Sequence, residues 1–366
     1  MEKPLLIEQH GAVAEITLNR PQVLNALNDA MRAAILTALP QFPRDPDVYA
    51  VVLRAVGPRA FCAGGDVREL CALAKQDVAL ADASLANEYR LNWTLECFSK
   101  PTVSLIDGMV MGSGVGLVLY NTHRVGGVGF RFAMPETAIG LFPDVGACSV
   151  LARLPHQIGR YLGLTGRSIS RRPALRLGLL THCIDADRFN DIRSGLAAAD
   201  PADPLLDGLH EAMESSLAGE TDELAGCETL IEDVFSAPSV GAILADLEQR
   251  GKRSGANAEW CARVHEELRA RAPLSLLVTL RHLDDCVDFD LRQVLIQDYR
   301  LATKFLRDDD FAEGVRAILI DKDGRPRWRH ARVEDVEGAD IARYFSVSAD
   351  REPSLPDRTE MQAMRI

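Results

Sequence analysis

Three times between Tyr49 and Leu162 the chain runs through the same order: a short apolar, β-branched segment, a loop carrying glycine or proline, and a stretch with helical spacing. The first segment is Tyr49 to Ala55, entering Val56, Gly57 and Pro58. The second is Thr102 to Ile106, turned by Asp107 and Gly108 into a helix from Met111 to Leu119. The third runs from Arg124 to Ala133, through the loop Met134 to Gly146, to a helix around Leu151 to Leu162. Repetition of this unit predicts an α/β core with mostly parallel strands. Upstream, Leu5 to Leu18 breaks at His10 and Gly11 as a hairpin does. Asn28 then precedes Met31, Ile35 and Leu39 at helical spacing, stopped by Pro40.

Beyond about residue 197 the composition shifts to Asp, Glu, Ala and Leu with helical periodicity, broken at Pro201, Pro204 and Pro238. Leu291 to Leu306 reads as a further helix, and Phe311 to Ile320 leads into a turn at Asp321 to Gly324. The division expected is a core over 1–195, a mainly helical region over 196–345 packed on it, and a loosely ordered tail over 346–366. With 366 residues, 47% of them apolar and 26% charged, there is chain enough for a sizeable core and an appendage.

A net charge of −12 argues against a sequence-independent nucleic-acid binder, so an anionic ligand must be held by local groups. Eight cysteines without a CxxC pair give neither a zinc site nor a disulfide framework, and they suit a reducing cytosol. The start of the chain has no basic segment leading into an apolar one, and no run of eighteen apolar residues occurs. The expectation is a cytoplasmic protein without a membrane partner. His10, His156, His182 and His210 form no recognisable ligand set, so no metal is expected. The acidic stretch between about 200 and 260 reads as a solvated scaffold, with homo-oligomer contacts left open.

Three segments stand out as carriers of chemistry. Arg59 to Asp66 (RAFCAGGD) turns at Ala63, Gly64 and Gly65 with little side chain in the way, so backbone N–H groups can point outward. Equally, the glycines can serve a tight turn while Asp66 caps the next helix. Met109 to Leu119 (MVMGSGVGLVL) sets Gly112, Gly114 and Gly116 in a helix, where each glycine costs about 1 kcal/mol relative to alanine. Close packing compensates for that, or a ligand lies against bare backbone donors. Phe132 to Gly146 (FAMPETAIGLFPDVG) holds Glu136 and Asp144 in apolar company, which can bring a carboxyl pKa toward the working pH. The alternative is two helix-start residues facing water.

Together, RAFCAGGD, the Gly-Ser-Gly helix start and AMPETAIGLFPDVG resemble the crotonase superfamily of enoyl-CoA hydratases and isomerases, and more narrowly its 3-hydroxyisobutyryl-CoA hydrolase branch. LNRPQVLNAL at 18–27, YLGLTGR at 161–167, GLLTHCID at 178–185 and RDDDFAEGVRAILIDKDGRPRW at 307–328 extend the likeness. It covers most of the chain outside roughly 190–260 and the tail. The resemblance implies a crotonase-like spiral of ββα units with a helical C-terminal region. It implies an oxyanion hole made by the backbone N–H groups of Ala63 and Ser113, with Glu136 and Asp144 catalytic. It further implies a wall for the CoA arm at Asn25, Ala26 and Leu27, and contacts at Gly64, Gly65, Asp66, Gly112 and Gly114. The implied substrate is an acyl-CoA, 3-hydroxyisobutyryl-CoA of valine breakdown, with coenzyme A part of the substrate and no separate cofactor. Two departures bear on pocket shape. Ser113 stands where the branch usually has the middle of three glycines, and Ala147, Cys148 and Ser149 follow the FPDVG motif.

Hydratases of this superfamily use two glutamates, the first just after the glycine-rich helix start, where this chain has Gly116. Thioester hydrolysis needs only a polarised carbonyl and a nearby acid or base, so the sequence leans that way. A single-base double-bond isomerase and a non-catalytic acyl-CoA-binding subunit stay open. A serine or cysteine hydrolase lacks its GxSxG elbow, and Cys62 reads more simply as a small buried residue.

Overall fold

The computed structural model describes residues 3–198, 217, 219–347 and 352–364, and among them ten strands form two sheets. β1 (Leu5–His10) and β2 (Val13–Leu18) make the antiparallel hairpin, with Gly11 at φ +55° in its turn. Three units then give one strand to either sheet: β3 (Ala50–Ala55) and β4 (Ala60–Cys62), β5 (Thr102–Ile106) and β6 (Met109–Met111), β7 (His123–Gly126) and β8 (Arg131–Ala133). β9 (Ile169–Ser170) closes the smaller sheet antiparallel to β8, and β10 (His182–Cys183) closes the larger one parallel to β7. The orders are β1-β2-β3-β5-β7-β10 and β4-β6-β8-β9, the spiral of ββα units that the resemblance implies.

The larger sheet is covered on both faces. Val13, Val52, Val103, Leu105 and Val125 pack with Ile184 and Leu196 on one side, and Ile16, Leu18, Val51 and Leu53 join the main core on the other. Two-sided burial is why these strands read as continuous apolar runs rather than alternating ones.

Two boundaries differ from expectation. Met111, expected to open a helix, instead ends the strand Met109–Met111, because Gly112 takes φ 47°, ψ −124°, a conformation closed to residues with side chains, and the helix spans only Ser113–Val118. The helix expected around Leu151 to Leu162 is two, Ala147–Leu151 and Ile158–Thr165, parted by His156 and Gln157 at φ +55°.

The helical region is realised by Glu228–Phe235, Val240–Gly251, Ala256–Ala270 and Pro273–Asp285; residues 199–216 and 218, His210 among them, lie outside the described residues. Helix Leu291–Phe305, opened by a reciprocal Asp290 and Gln293 cap, packs against helix Val78–Glu96. The tail departs from the loosely ordered expectation over 352–364. Leu355 and Met361 are buried there, Trp93 Nε1 donates to Pro356 O at 2.7 Å, and Arg292 Nε donates to Leu355 O at 2.7 Å. No described helix is long and apolar enough to cross a membrane.

Candidate active site

The turn after β4 is built on Asn25, which is buried and left-handed at φ +56°. Its Oδ1 accepts from Arg20 N at 2.8 Å, and its Nδ2 donates to Val56 O at 2.9 Å and Ala60 O at 3.0 Å. The side chain therefore ties three segments together instead of meeting a ligand in the main cavity. Of the wall expected at Asn25, Ala26 and Leu27, none lines that cavity; the neighbouring Leu24 does.

Ala63 needs the same correction. Its N–H donates to Leu24 O at 3.0 Å and has no capacity left for a ligand oxygen. Two residues on, the Gly65 N–H meets no protein acceptor among the described residues. Gly65 also faces Ser113 closely, since a Cβ on it would lie 2.8 Å from Ser113 Oγ. Ser113 opens its helix, and a first helical residue has no acceptor within the helix for its N–H. Gly65 and Ser113 thus supply the two free donors that sequence reasoning assigned to Ala63 and Ser113. Asp66 does cap a helix, accepting from Glu69 N at 3.3 Å, and it also lines the cavity while pairing with Arg20 Nη2 at 3.1 Å.

The three glycines of MVMGSGVGLVL divide by purpose. Gly112 borders the cavity, and a Cβ there would stand 2.8 Å from Glu136 Oε1. Gly114 does not reach the cavity and serves packing instead, because a Cβ would meet Cys62 O at 2.5 Å. At Gly116 a Cβ would meet Asn92 Nδ2 at 2.5 Å and Val145 Cβ at 2.8 Å, so this position is closed to any larger residue.

Gly64, Gly65, Asp66, Gly112, Ser113, Glu136 and Asp144 converge on one cavity of about 320 Å³. Glu136 starts a short turn, Glu136–Ile139, soon after β8; it is buried and its Oε2 has no protein partner. Burial is the main reason its carboxyl is pushed up to about 8, with the Glu88 carboxylate adding to the effect. Asp144, also buried, accepts from Tyr89 Oη at 2.8 Å. Burial, then Glu88, Glu136 and Asp298, hold it well above the usual carboxylate range, against that one hydrogen bond. Cys62 is no nucleophile here, since burial pushes its thiol up to about 12.

Two charged residues lining the cavity escaped the sequence reading. Glu88 belongs to helix Val78–Glu96, and its Oε1 is buried without a partner while Oε2 stands 3.8 Å from Arg32 Nη1. Arg32, likewise buried, donates to Leu27 O at 3.2 Å and to Ser84 Oγ at 2.8 Å. A signal existed. Ser84, Glu88 and Asn92 recur at four-residue spacing, a polar stripe on a helix face that turns out to be buried. Ile318 and Leu319, from the turn Arg316–Ile320, complete the cavity, and Arg68 donates to Leu319 O.

A family model described as enoyl-CoA hydratase/isomerase matches residues 13–345. A rat protein named 3-hydroxyisobutyryl-CoA hydrolase, mitochondrial, is 37% identical over 95% of this chain and 90% of its own length. An Arabidopsis thaliana protein named 3-hydroxyisobutyryl-CoA hydrolase 1 is 34% identical over 100% of this chain and 97% of its own. Among solved structures, a carnitinyl-CoA dehydratase from Mycobacterium thermoresistibile superposes with a TM-score of 0.87 at 32% identity, covering 97% of this chain and 99% of that one. An enoyl-CoA hydratase from Rhodobacter sphaeroides superposes with a TM-score of 0.84 at 36% identity, covering 93% and 97%. The names differ in reaction but share an acyl-CoA and one architecture, and the chain belongs to the enoyl-CoA hydratase/isomerase family of the crotonase superfamily.

Proposed function

We propose that this chain is an acyl-CoA thioester hydrolase and that 3-hydroxyisobutyryl-CoA, an intermediate of valine breakdown, is its substrate. One observation carries the choice of hydrolysis over hydration. Position 116, where the superfamily's hydratases hold their first glutamate, is sealed by Asn92 and Val145, so the paired acid and base of water addition cannot be assembled there. The curated relatives named as hydrolases, matched over most of their length, support the same reading.

In this reading the thioester oxygen sits between the N–H groups of Gly65 and Ser113, which stabilise the charge it gains on attack; loss of one such donor typically costs about 2.7 to 4 kcal/mol. Glu136, its carboxyl near 8, takes the proton of an attacking water as the new carbon–oxygen bond forms. Asp144, whose carboxyl is raised first by burial and then by neighbouring carboxylates, gives a proton to the departing thiolate. Glu88 Oε1, buried and unpartnered, accepts from the hydroxyl of the acyl group. The net change is thioester and water to free acid and thiol, with the proton returned from Glu136 to Asp144 through solvent.

Thiol release from 3-hydroxyisobutyryl-CoA by the purified protein tests this, with crotonyl-CoA hydration measured beside it and Glu136→Gln as control. Thiol release that vanishes in the variant supports the reading. Hydration or isomerisation without thiol release overturns it.

A further inference from the structure

Behind the cavity lies a pair of side chains that touch no reacting group in the chemistry above, although one of them, Asp298, helps to raise the Asp144 carboxyl. His282, on helix Pro273–Asp285, and Asp298, on helix Leu291–Phe305, are both wholly buried, with Nε2 and Oδ1 2.7 Å apart. The other oxygen, Asp298 Oδ2, accepts from the backbone N–H of Gly146 at 2.7 Å. Neither side chain lines the cavity, so neither can touch the substrate.

What the pair holds is the turn that presents Asp144. Val145 and Gly146 follow it at φ +53° and +75°, and a β-branched residue rarely adopts the first of these. Such a turn persists only where its surroundings over-determine it. Here Tyr120 Oη donates to Val145 O at 3.0 Å, and Asp298 receives the Gly146 N–H. The Gly146 backbone is also wedged from the side, where a Cβ would meet Tyr120 Oη at 2.1 Å. Phe142 stands edge-on to the His282 ring at 5.5 Å, so the segment is gripped on both flanks of Asp144. The titratable groups around Asp298 are His282, Cys286, Tyr120, Cys148, Tyr89 and Asp144. Among them His282 alone can bear positive charge.

We propose that Asp298, oriented by His282, is a positioning residue that fixes the Asp144–Val145–Gly146 turn in its working geometry through the Gly146 N–H. The proposal rests on the assignment of Asp144 to the reaction. Replacing Asp298 by alanine frees the turn without altering the cavity wall. The expected result is a kcat lower by about 30- to 100-fold, of the size that misplacing a reacting group produces, with KM within about threefold of wild type. Asp298→Asn keeps an acceptor for Gly146 and restores kcat to within about threefold of wild type.

Equal kcat in wild type and a folded Asp298→Ala overturns the proposal, as does an asparagine variant no better than alanine. Should Asp298→Ala fail to fold, His282→Leu carries the test. It leaves Asp298 in place without its orienting donor, and a kcat drop of about tenfold at constant KM is expected; an unchanged kcat overturns the idea. A readout independent of turnover separates this proposal from the hydrolase reading. In protein labelled with 15N-glycine, the Gly146 amide proton should resonate downfield in wild type and Asp298→Asn and move upfield in Asp298→Ala. That pattern supports the contact even if wild type releases no thiol, whereas a resonance indifferent to both substitutions overturns it.

Discussion

The acyl end of the cavity and the paired helices Val240–Gly251 and Ala256–Ala270 follow opposite rules. In the helices Ile243, Leu247, Cys261, Val264 and Leu268 are buried, and charges stay outside in pairs such as Arg250 with Asp246 at 2.9 Å and Lys252 with Glu248 at 2.8 Å. At the acyl end Glu88, Glu136 and Asp144 are all buried around one cavity, with Arg32 the cation beside them at 3.8 Å from Glu88. Local pattern, burial and charge agree in the helices and conflict in the cavity. Burying a carboxyl without a partner costs free energy that folding alone gives no reason to accept, so the conflict marks the site.

The comparison breaks most visibly at Glu136. Glu136→Gln should lower kcat by about 10²- to 10⁴-fold, the usual contribution of a positioned acid or base, while the thermal midpoint stays level or rises because a buried ionisable group is gone. A variant that loses stability and activity together would show Glu136 to be a core residue. Next in size is Gly112→Ala. The new Cβ would crowd Glu136 Oε1, on a backbone conformation closed to alanine. Loss of about 10² in kcat/KM and about 1–3 kcal/mol in urea unfolding is expected. Destabilisation with kcat/KM intact would detach Gly112 from the chemistry.

Much of this contrast is legible in the amino-acid sequence. The repeated strand, loop and helix read correctly because the larger sheet is buried on both faces, which leaves unbroken apolar runs such as Val51–Leu53. The burial of Glu136 and Asp144 is legible because Pro135 and Pro143 stiffen an apolar segment around them. What escaped depends on who meets whom in space. Ala63 and Gly65 sit in one glycine-rich turn, and only the pairing of Ala63 N–H with Leu24 O shows which donor is left free. Glu88 belongs to a polar stripe with Ser84 and Asn92 that the sequence alone cannot tell from a solvated helix face, and its meaning comes from Arg32, 56 residues earlier in the chain. The packed tail at Leu355 and Met361 depended on Trp93 and Arg292, which no local pattern names.

A smaller effect sharpens the comparison through pH. The Glu136 carboxyl is raised to about 8 by burial. As general base it works ionised, so kcat/KM should climb with pH and level off above about 8. Stability carries the opposite sign. Between its ordinary value of 4.5 and about 8 the folded protein holds a proton that the unfolded chain releases, so this group's contribution falls as pH rises across that window. The advantage in thermal midpoint of Glu136→Gln over wild type should therefore be greater at pH 9 than at pH 5. An advantage that shrinks as pH rises would mean that Glu136 is charged and well paired in the folded state.

The smallest effect belongs to the helices. Arg250 reaches Asp246 at 2.9 Å and Asp233 at 3.5 Å, with 30% of its side chain exposed. Two pairs on one guanidinium look like a strong tie, but exposed ion pairs of this kind are worth about 0–1 kcal/mol and are screened by salt. Arg250→Ala should shift urea unfolding by no more than about 1 kcal/mol, part of it from the lost cover of its methylene stem. Most of the charge-dependent part should disappear in 1 M salt, where the screening length is about 3 Å, and kcat should not move. A shift above about 2 kcal/mol that survives salt would place Arg250 in the same class as buried Arg32. The boundary between a helical layer governed by stability and a cavity governed by chemistry would then have to be redrawn to include these helices.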